Sequence, residues 1–125
     1  MEAVAVRAMI VDDDEDMREL VRTMFELDGE IEMVGEEGDS ASGARRWAEL
    51  RPDVLIVDYQ LPGANGLDLA EWVLTQDADA RILLFSAYLD EVAVARAHQL
   101  GVRELVAKER FKDLRDLVFI HAPHH

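Results

Sequence analysis

Val54-Leu55-Ile56-Val57 is an unbroken apolar run, preceded by Pro52-Asp53 and followed after Asp58 by Leu61-Pro62-Gly63. Such a run offers no polar face, so a strand made of it must be covered on both sides. That is the condition of a strand inside a parallel sheet flanked by helices. The run ends on Asp58. Ligands of open α/β sheets sit outside the carboxyl ends of the strands, so Asp58 stands where chemistry is expected. Taken alone, an aspartate there reads more simply as a turn cap. Its meaning depends on what the other strand ends bring beside it.

The rest of the chain alternates in the same style. Val4–Val11 reads as a first strand, and Asp14 as the N-cap of a helix that starts near Glu15. Met17, Leu20, Val21, Met24 and Phe25 fall on one face of that helix, and Asp28-Gly29 stops it. Ile31–Gly35 is a short, half-polar strand expected at an edge. Gly38-Asp39-Ser40 opens a second helix with Ala41, Ala44, Trp47 and Ala48 expected inward, ended by Arg51-Pro52-Asp53. Asn65 caps a third helix that turns Leu69, Ala70, Val73 and Leu74 inward. Arg81–Phe85 is a fourth strand, running into Ser86-Ala87. Asp90 starts a fourth helix through Val92, Ala93, Ala97 and Leu100, closed by Gly101. Glu104–Ala107 is a short fifth strand ending on Lys108, and a fifth helix carries Leu114, Leu117, Val118 and Phe119 or Ile120. Strands alternating with helices through one domain imply right-handed crossovers. The expected fold is a flavodoxin-like, doubly wound α/β domain: five parallel strands and five helices in three α/β/α layers over residues 1–120. Residues 121–125, His121-Ala122-Pro123-His124-His125, show no periodicity and are expected to be a disordered or expression-derived tail.

Composition narrows the functional classes. A net charge of −14 opposes direct nucleic-acid binding, because phosphate backbones would be repelled. Cysteine is absent, which removes disulfides, thiolate metal sites and thiol nucleophiles. No run is long enough to span a membrane and no secretory leader opens the chain, so the expected location is cytoplasmic and without a membrane partner. Asp12-Asp13-Asp14-Glu15-Asp16 is the densest acidic run. Asp14, Glu15 and Asp16 suit a solvated helix N-terminus; Asp12 and Asp13 directly follow the first strand.

Four strands therefore finish on polar groups: Asp12/Asp13, Asp58, Ser86 and Lys108. In a parallel sheet those ends share one edge. A nucleotide binder would present a Gly/Ser/Thr-rich loop after the first strand, but carboxylates stand there. Carboxylates roughly 5 Å apart repel by about 3 kcal/mol per pair at an effective dielectric near 20. Either their pKa values rise or a cation sits among them. Mg²⁺ fits, since it takes one or two carboxylates and keeps positions for water and phosphate oxygens. Asp58 is then a candidate nucleophile for phosphoryl transfer, with Lys108 and Ser86 to hold phosphoryl oxygens.

These residues carry a resemblance. Ile10-Val11-Asp12-Asp13-Asp14 with Arg18, Pro52 through Gly63, Asn65-Gly66-Leu67, Leu83 through Ala87, and Gly101 leading to Lys108 together resemble the receiver domain of two-component response regulators, over residues 4 to 120. The resemblance implies that Asp58 is the phosphorylated residue and Asp13 a direct Mg²⁺ ligand. It also implies that Asp12 acts through water and that Gln60 offers its backbone carbonyl to the metal. Ser86 is implied to turn its hydroxyl toward the phosphoryl group, Ala87 to leave access to it, and Lys108 to bind phosphate. The implied donor is a phosphohistidine on a histidine kinase or histidine phosphotransfer protein. The chain is then no enzyme beyond catalysing its own phosphorylation and dephosphorylation. An output partner or a second copy is expected on the face of the fourth helix, fifth strand and fifth helix.

Two positions depart from many receivers. Leu105 stands where an aromatic ring often switches, and Glu109 follows Lys108 where proline is common, so a trans peptide is expected there. Receivers lacking that proline include those of LuxR-type helix-turn-helix regulators, which this chain is expected to resemble most. No output domain follows, which leaves a stand-alone receiver or a piece of a longer regulator. Leu105 keeps open a second reading, a pseudo-receiver that binds partners without phosphorylation. A third reading, an aspartate-nucleophile phosphatase of the haloacid dehalogenase type, needs a second aspartate where Gln60 stands.

Overall fold

Every strand end foreseen in the sequence lies on one edge of a single parallel sheet. A computed structural model describes residues 5–123 of the chain. The strands are β1 (Val6–Val11), β2 (Ile31–Glu37), β3 (Val54–Asp58), β4 (Ile82–Ser86) and β5 (Glu104–Ala107). The helices are α1 (Glu15–Asp28), α2 (Ser40–Leu50), α3 (Gly66–Gln76), α4 (Glu91–Leu100) and α5 (Leu114–His121), with a 3-10 turn over Lys108–Asp113 before the last. The sheet order is β2-β1-β3-β4-β5, all parallel. The half-polar β2 takes an edge, as its composition predicts, and Val4 lies outside the described residues.

β3 is buried along its whole length. Alternate strand residues pack on one side of the sheet: Met9, Val11, Leu55, Val57 and Leu84 meet Trp47, Leu67, Val73 and Ala97 from α2, α3 and α4. Ala8, Ile10, Ile56, Leu83 and Phe85 face the other way, toward Val21 and Phe25 of α1 and Leu114 and Val118 of α5. Those two clusters are the two cores of a three-layer fold, as alternate strand residues must point to opposite faces.

Caps are local and fall where the sequence places them. Asp14 accepts from the N–H groups of Asp16 and Met17, Asn65 forms a capping box with Asp68, and Asp90 accepts from Ala93. Helix faces are less well foreseen. Leu20 and Val92 are exposed. In α2 the residues turned inward are Ser40, Gly43 and Trp47, while Ala41 and Ala48 face solvent. A Cβ on Gly43 would lie 3.0 Å from Val11 and 3.2 Å from Leu69, so that helix approaches the sheet through its glycine. Alanine carries too little apolar contrast to mark the buried face.

The ordered fold also runs past the boundary expected at residue 120. His121 is the last residue of α5, with its ring 3.2 Å from Glu104, and Ala122 is buried against the α1/α5 core. The expected tail thus begins no earlier than Pro123, and His124 and His125 lie outside the described residues. All described peptide bonds are trans, including the one before Glu109.

Candidate functional site

Lys108 joins the ends of three strands. Its Nζ lies 2.9 Å from Asp58 Oδ2 and 3.0 Å from Asp12 Oδ2, and donates to Asp12 Oδ1 at 3.2 Å. The carboxylates come from the ends of β1 and β3, and the ammonium from the residue after β5. Sheet register explains the meeting: Val11 pairs with Val57, Asp58 with Phe85 and Ser86 with Ala107, so the polar residues emerge level with one another.

Asp12 and Asp58 are buried and Asp13 is exposed. Burial pushes the Asp58 carboxyl above the usual aspartate value. The bond from Lys108 opposes that shift, the charge of Asp12 adds to it, and the Gln60 N–H, donating to Asp58 Oδ1 at 3.1 Å, opposes it. Burial alone would lower the Lys108 ammonium, but its bonds to Asp58 and Asp12 prevail and hold it above an ordinary lysine.

One oxygen from each of Asp12, Asp13 and Asp58 can be chosen so that all three lie within 4.8 Å of one another. Asp12 Oδ2 is buried and has no hydrogen-bond partner, since the ammonium approaches it without the alignment of a bond. An orphaned buried carboxylate oxygen is costly unless something fills its lone pair. A hard cation held by oxygen ligands suits that vacancy of bonding, and an all-oxygen donor set is the kind Mg²⁺ takes. Asp13 and Gln60 line one open cleft of about 540 Å³ with Tyr59, Leu61, Pro62 and Asn65, so the site is reached from solvent.

Ser86 is placed at the site edge but is otherwise engaged. Its hydroxyl donates to the Tyr88 carbonyl at 2.9 Å and accepts from the Tyr88 N–H at 3.3 Å. Ala87 and Tyr88 are exposed beside it. Leu105 is half-buried and packs against the core cluster that includes Ala93 and Ala97 of α4.

Gly66 is a position beside the site whose structural reason the sequence does not reveal. A Cβ there would sit 2.0 Å from the Asp58 carbonyl oxygen and 2.8 Å from its carbonyl carbon. Its N–H donates to Tyr59 O at 2.8 Å, drawing the start of α3 onto the end of β3. The glycine is required by close approach of two backbones, and the motif Asn65-Gly66-Leu67 is the only signal in the chain that pointed to it.

Comparison with known proteins gives the same picture. Residues 8–119 match the family model described as the response regulator receiver domain. The chain is 33% identical over 104 residues to the DNA-binding transcriptional activator DevR/DosR of Mycobacterium tuberculosis, covering 83% of this chain and 48% of that protein. It is 32% identical over 110 residues to protein-glutamate methylesterase/protein-glutamine glutaminase 2 of Koribacter versatilis, covering 86% of this chain and 30% of that one. It therefore spans less than half the length of either relative. Among solved structures, the signal receiver domain of the putative response regulator NarL from Mycobacterium tuberculosis superposes with a TM-score of 0.83 at 30% identity, over 94% of this chain and 98% of that one. The expected likeness to receivers of LuxR-type regulators is met by NarL and DevR/DosR.

Proposed function

This chain belongs to the response regulator receiver domain family, and from that premise we propose that it is a phosphorylation switch that accepts a phosphoryl group on Asp58 from a phosphohistidine. The observation that carries the proposal is the ammonium of Lys108 held between two buried carboxylates from the ends of different strands. Nothing in the packing of the core requires three ionised groups there, and desolvating them is costly. With Asp13 beside them the carboxylates outnumber the ammonium, which supports a site completed by a cation before a phosphoryl group arrives.

In the proposed reaction an Asp58 oxygen attacks phosphorus, the P–N bond to the donor imidazole breaks, and the imidazole leaves. The donor is a histidine kinase or histidine phosphotransfer protein. Asp13, Asp12 through water, the Asp58 carboxylate and the Gln60 carbonyl would hold Mg²⁺, which when bound neutralises charge on the transferring phosphoryl group. The Gln60 N–H, donating to Asp58 Oδ1, holds the carboxylate in place for the transfer. Lys108 transfers its hydrogen bond from the carboxylate to a phosphoryl oxygen. Ser86 exchanges the Tyr88 carbonyl for another, releasing the loop that leads into α4. That exchange couples the site to the α4-β5-α5 face, where an output partner or a second copy would read the change.

Incubating the protein with acetyl phosphate and Mg²⁺, followed by intact-mass measurement, tests the reading. One phosphoryl adduct is expected on the wild type and none on Asp58→Asn. An unmodified wild type, or an equal adduct on Asp58→Asn, would overturn it and leave the pseudo-receiver reading in its place.

A further inference from the structure

Arg18 lies on the first turns of α1, outside the set of groups that the proposed transfer uses. Helical side chains lean toward the helix N-terminus, and this one folds back beneath the β1–α1 loop. Its Nη1 donates to the backbone carbonyl of Asp12 at 2.6 Å. The side chain is 19% exposed, and its Nε is buried without a hydrogen-bond partner, 3.6 Å from Glu36 Oε1. Among the described residues the two buried side-chain atoms with no partner are this Nε and Asp12 Oδ2. Both belong to groups that meet at Asp12.

A purely structural tie from α1 to β2 does not account for Arg18. Arg22 already makes that tie, donating to Glu36 Oε2 at 2.6 Å. The short bond of Arg18 goes to the Asp12 carbonyl instead. That carbonyl shares its peptide plane with the nitrogen of Asp13, so holding it fixes the start of the Asp13 residue. Two other groups of Asp12 are also held: its N–H donates to Glu37 O at 2.9 Å, and its Oδ1 accepts from Asp14 N at 2.9 Å. Glycine at position 38 leaves the room required, since a Cβ there would stand 3.3 Å from Arg18 Nη1 and 3.9 Å from Asp13 Cα.

We infer that Arg18 is a positioning residue for the divalent cation: its guanidinium clamps the Asp12–Asp13 peptide so that the exposed Asp13 carboxylate is presented toward Asp58. The inference rests on the phosphoacceptor reading above. Its sign separates it from simple electrostatics. A cation beside carboxylates weakens Mg²⁺ binding by repulsion, so deleting it should tighten binding; a clamp predicts the reverse. The effect of losing such an outer partner on metal affinity is about tenfold to a hundredfold.

The test is calorimetric titration of Mg²⁺ into the full chain, for wild type, R18M, R18K and D13N, with urea unfolding to verify each fold. R18M is expected to weaken Mg²⁺ about tenfold, and R18K, which keeps a donor but lacks the planar fork, to weaken it less. With acetyl phosphate, the Mg²⁺ concentration for half-maximal phosphorylation should rise with the dissociation constant, while the rate at saturating Mg²⁺ falls less. R18M that binds Mg²⁺ as tightly as wild type, or more tightly, overturns the inference; should R18M not fold, wild-type affinity in R18K does so. If D13N binds as well as wild type, or wild type not at all, the phosphoacceptor reading fails and takes this one with it. If D13N is impaired and R18M is not, only the clamp is lost.

Discussion

Replacing Lys108 by methionine removes the ammonium and keeps a long side chain in its place. Asp12 and Asp58, whose side chains are 0% and 5% exposed, then face each other with no countercharge. Oxygens no more than 4.8 Å apart repel by about 3.5 kcal/mol or more at an effective dielectric near 20. Breaking a buried pair by removing one partner costs about 3–5 kcal/mol. K108M should therefore lose about 3 kcal/mol of unfolding free energy at neutral pH without divalent cations, a large part of the roughly 5–15 kcal/mol typical of a domain. Urea denaturation reads the loss as a lower midpoint at unchanged slope.

The pH dependence has a definite sign. The folded Asp58 carboxyl titrates above its unfolded value of 3.8, so proton binding there stabilises the fold. That contribution is complete below 3.8 and is lost as pH rises through the folded pKa. Without Lys108 the folded pKa climbs further, because the hydrogen bond that lowers it is gone. The K108M deficit should accordingly be small near pH 3.8 and full at neutrality. Adding Asp58→Asn should recover most of it. K108M within about 0.5 kcal/mol of wild type at neutral pH in chelator, or a deficit unchanged in the D58N background, would refute the reasoning.

Two further outcomes follow from the backbone and the caps. G66A forces a methyl against the Asp58 carbonyl, where backbone must move; a loss of about 1–3 kcal/mol in urea unfolding is expected, together with slower adduct formation from acetyl phosphate. D39A removes the oxygen that accepts from Ser42 N at the start of α2, so its thermal midpoint should fall. The hydrogen bonds from Ser42 hold the Asp39 carboxyl below 3.8. The deficit should therefore be present above that pH and disappear as pH drops through the folded pKa, which parallel melts of wild type and D39A would measure.

The sequence by itself determined where β1, β3 and β5 end and where α1, α2, α3 and α4 begin. An uninterrupted run such as Val54–Val57 admits only a position covered on both faces. Asp14, Asn65 and Asp90 act on N–H groups two or three residues away, so their role is written locally. Once the strands are parallel, topology alone carries Asp12, Asp58, Ser86 and Lys108 to one edge, which is why their placement was legible in the sequence. Tertiary structure decided what depends on how separate elements pack against one another. Which face of α2 is buried turned on Gly43 fitting between Val11 and Leu69, a contact that an alanine-rich pattern cannot encode. Gly66 is needed because the backbone of β3 passes where its Cβ would be. The clamp of Arg18 on the Asp12 carbonyl belongs to the same class: its donor is placed by a helix and its acceptor by a strand end, and only their packing sets them 2.6 Å apart.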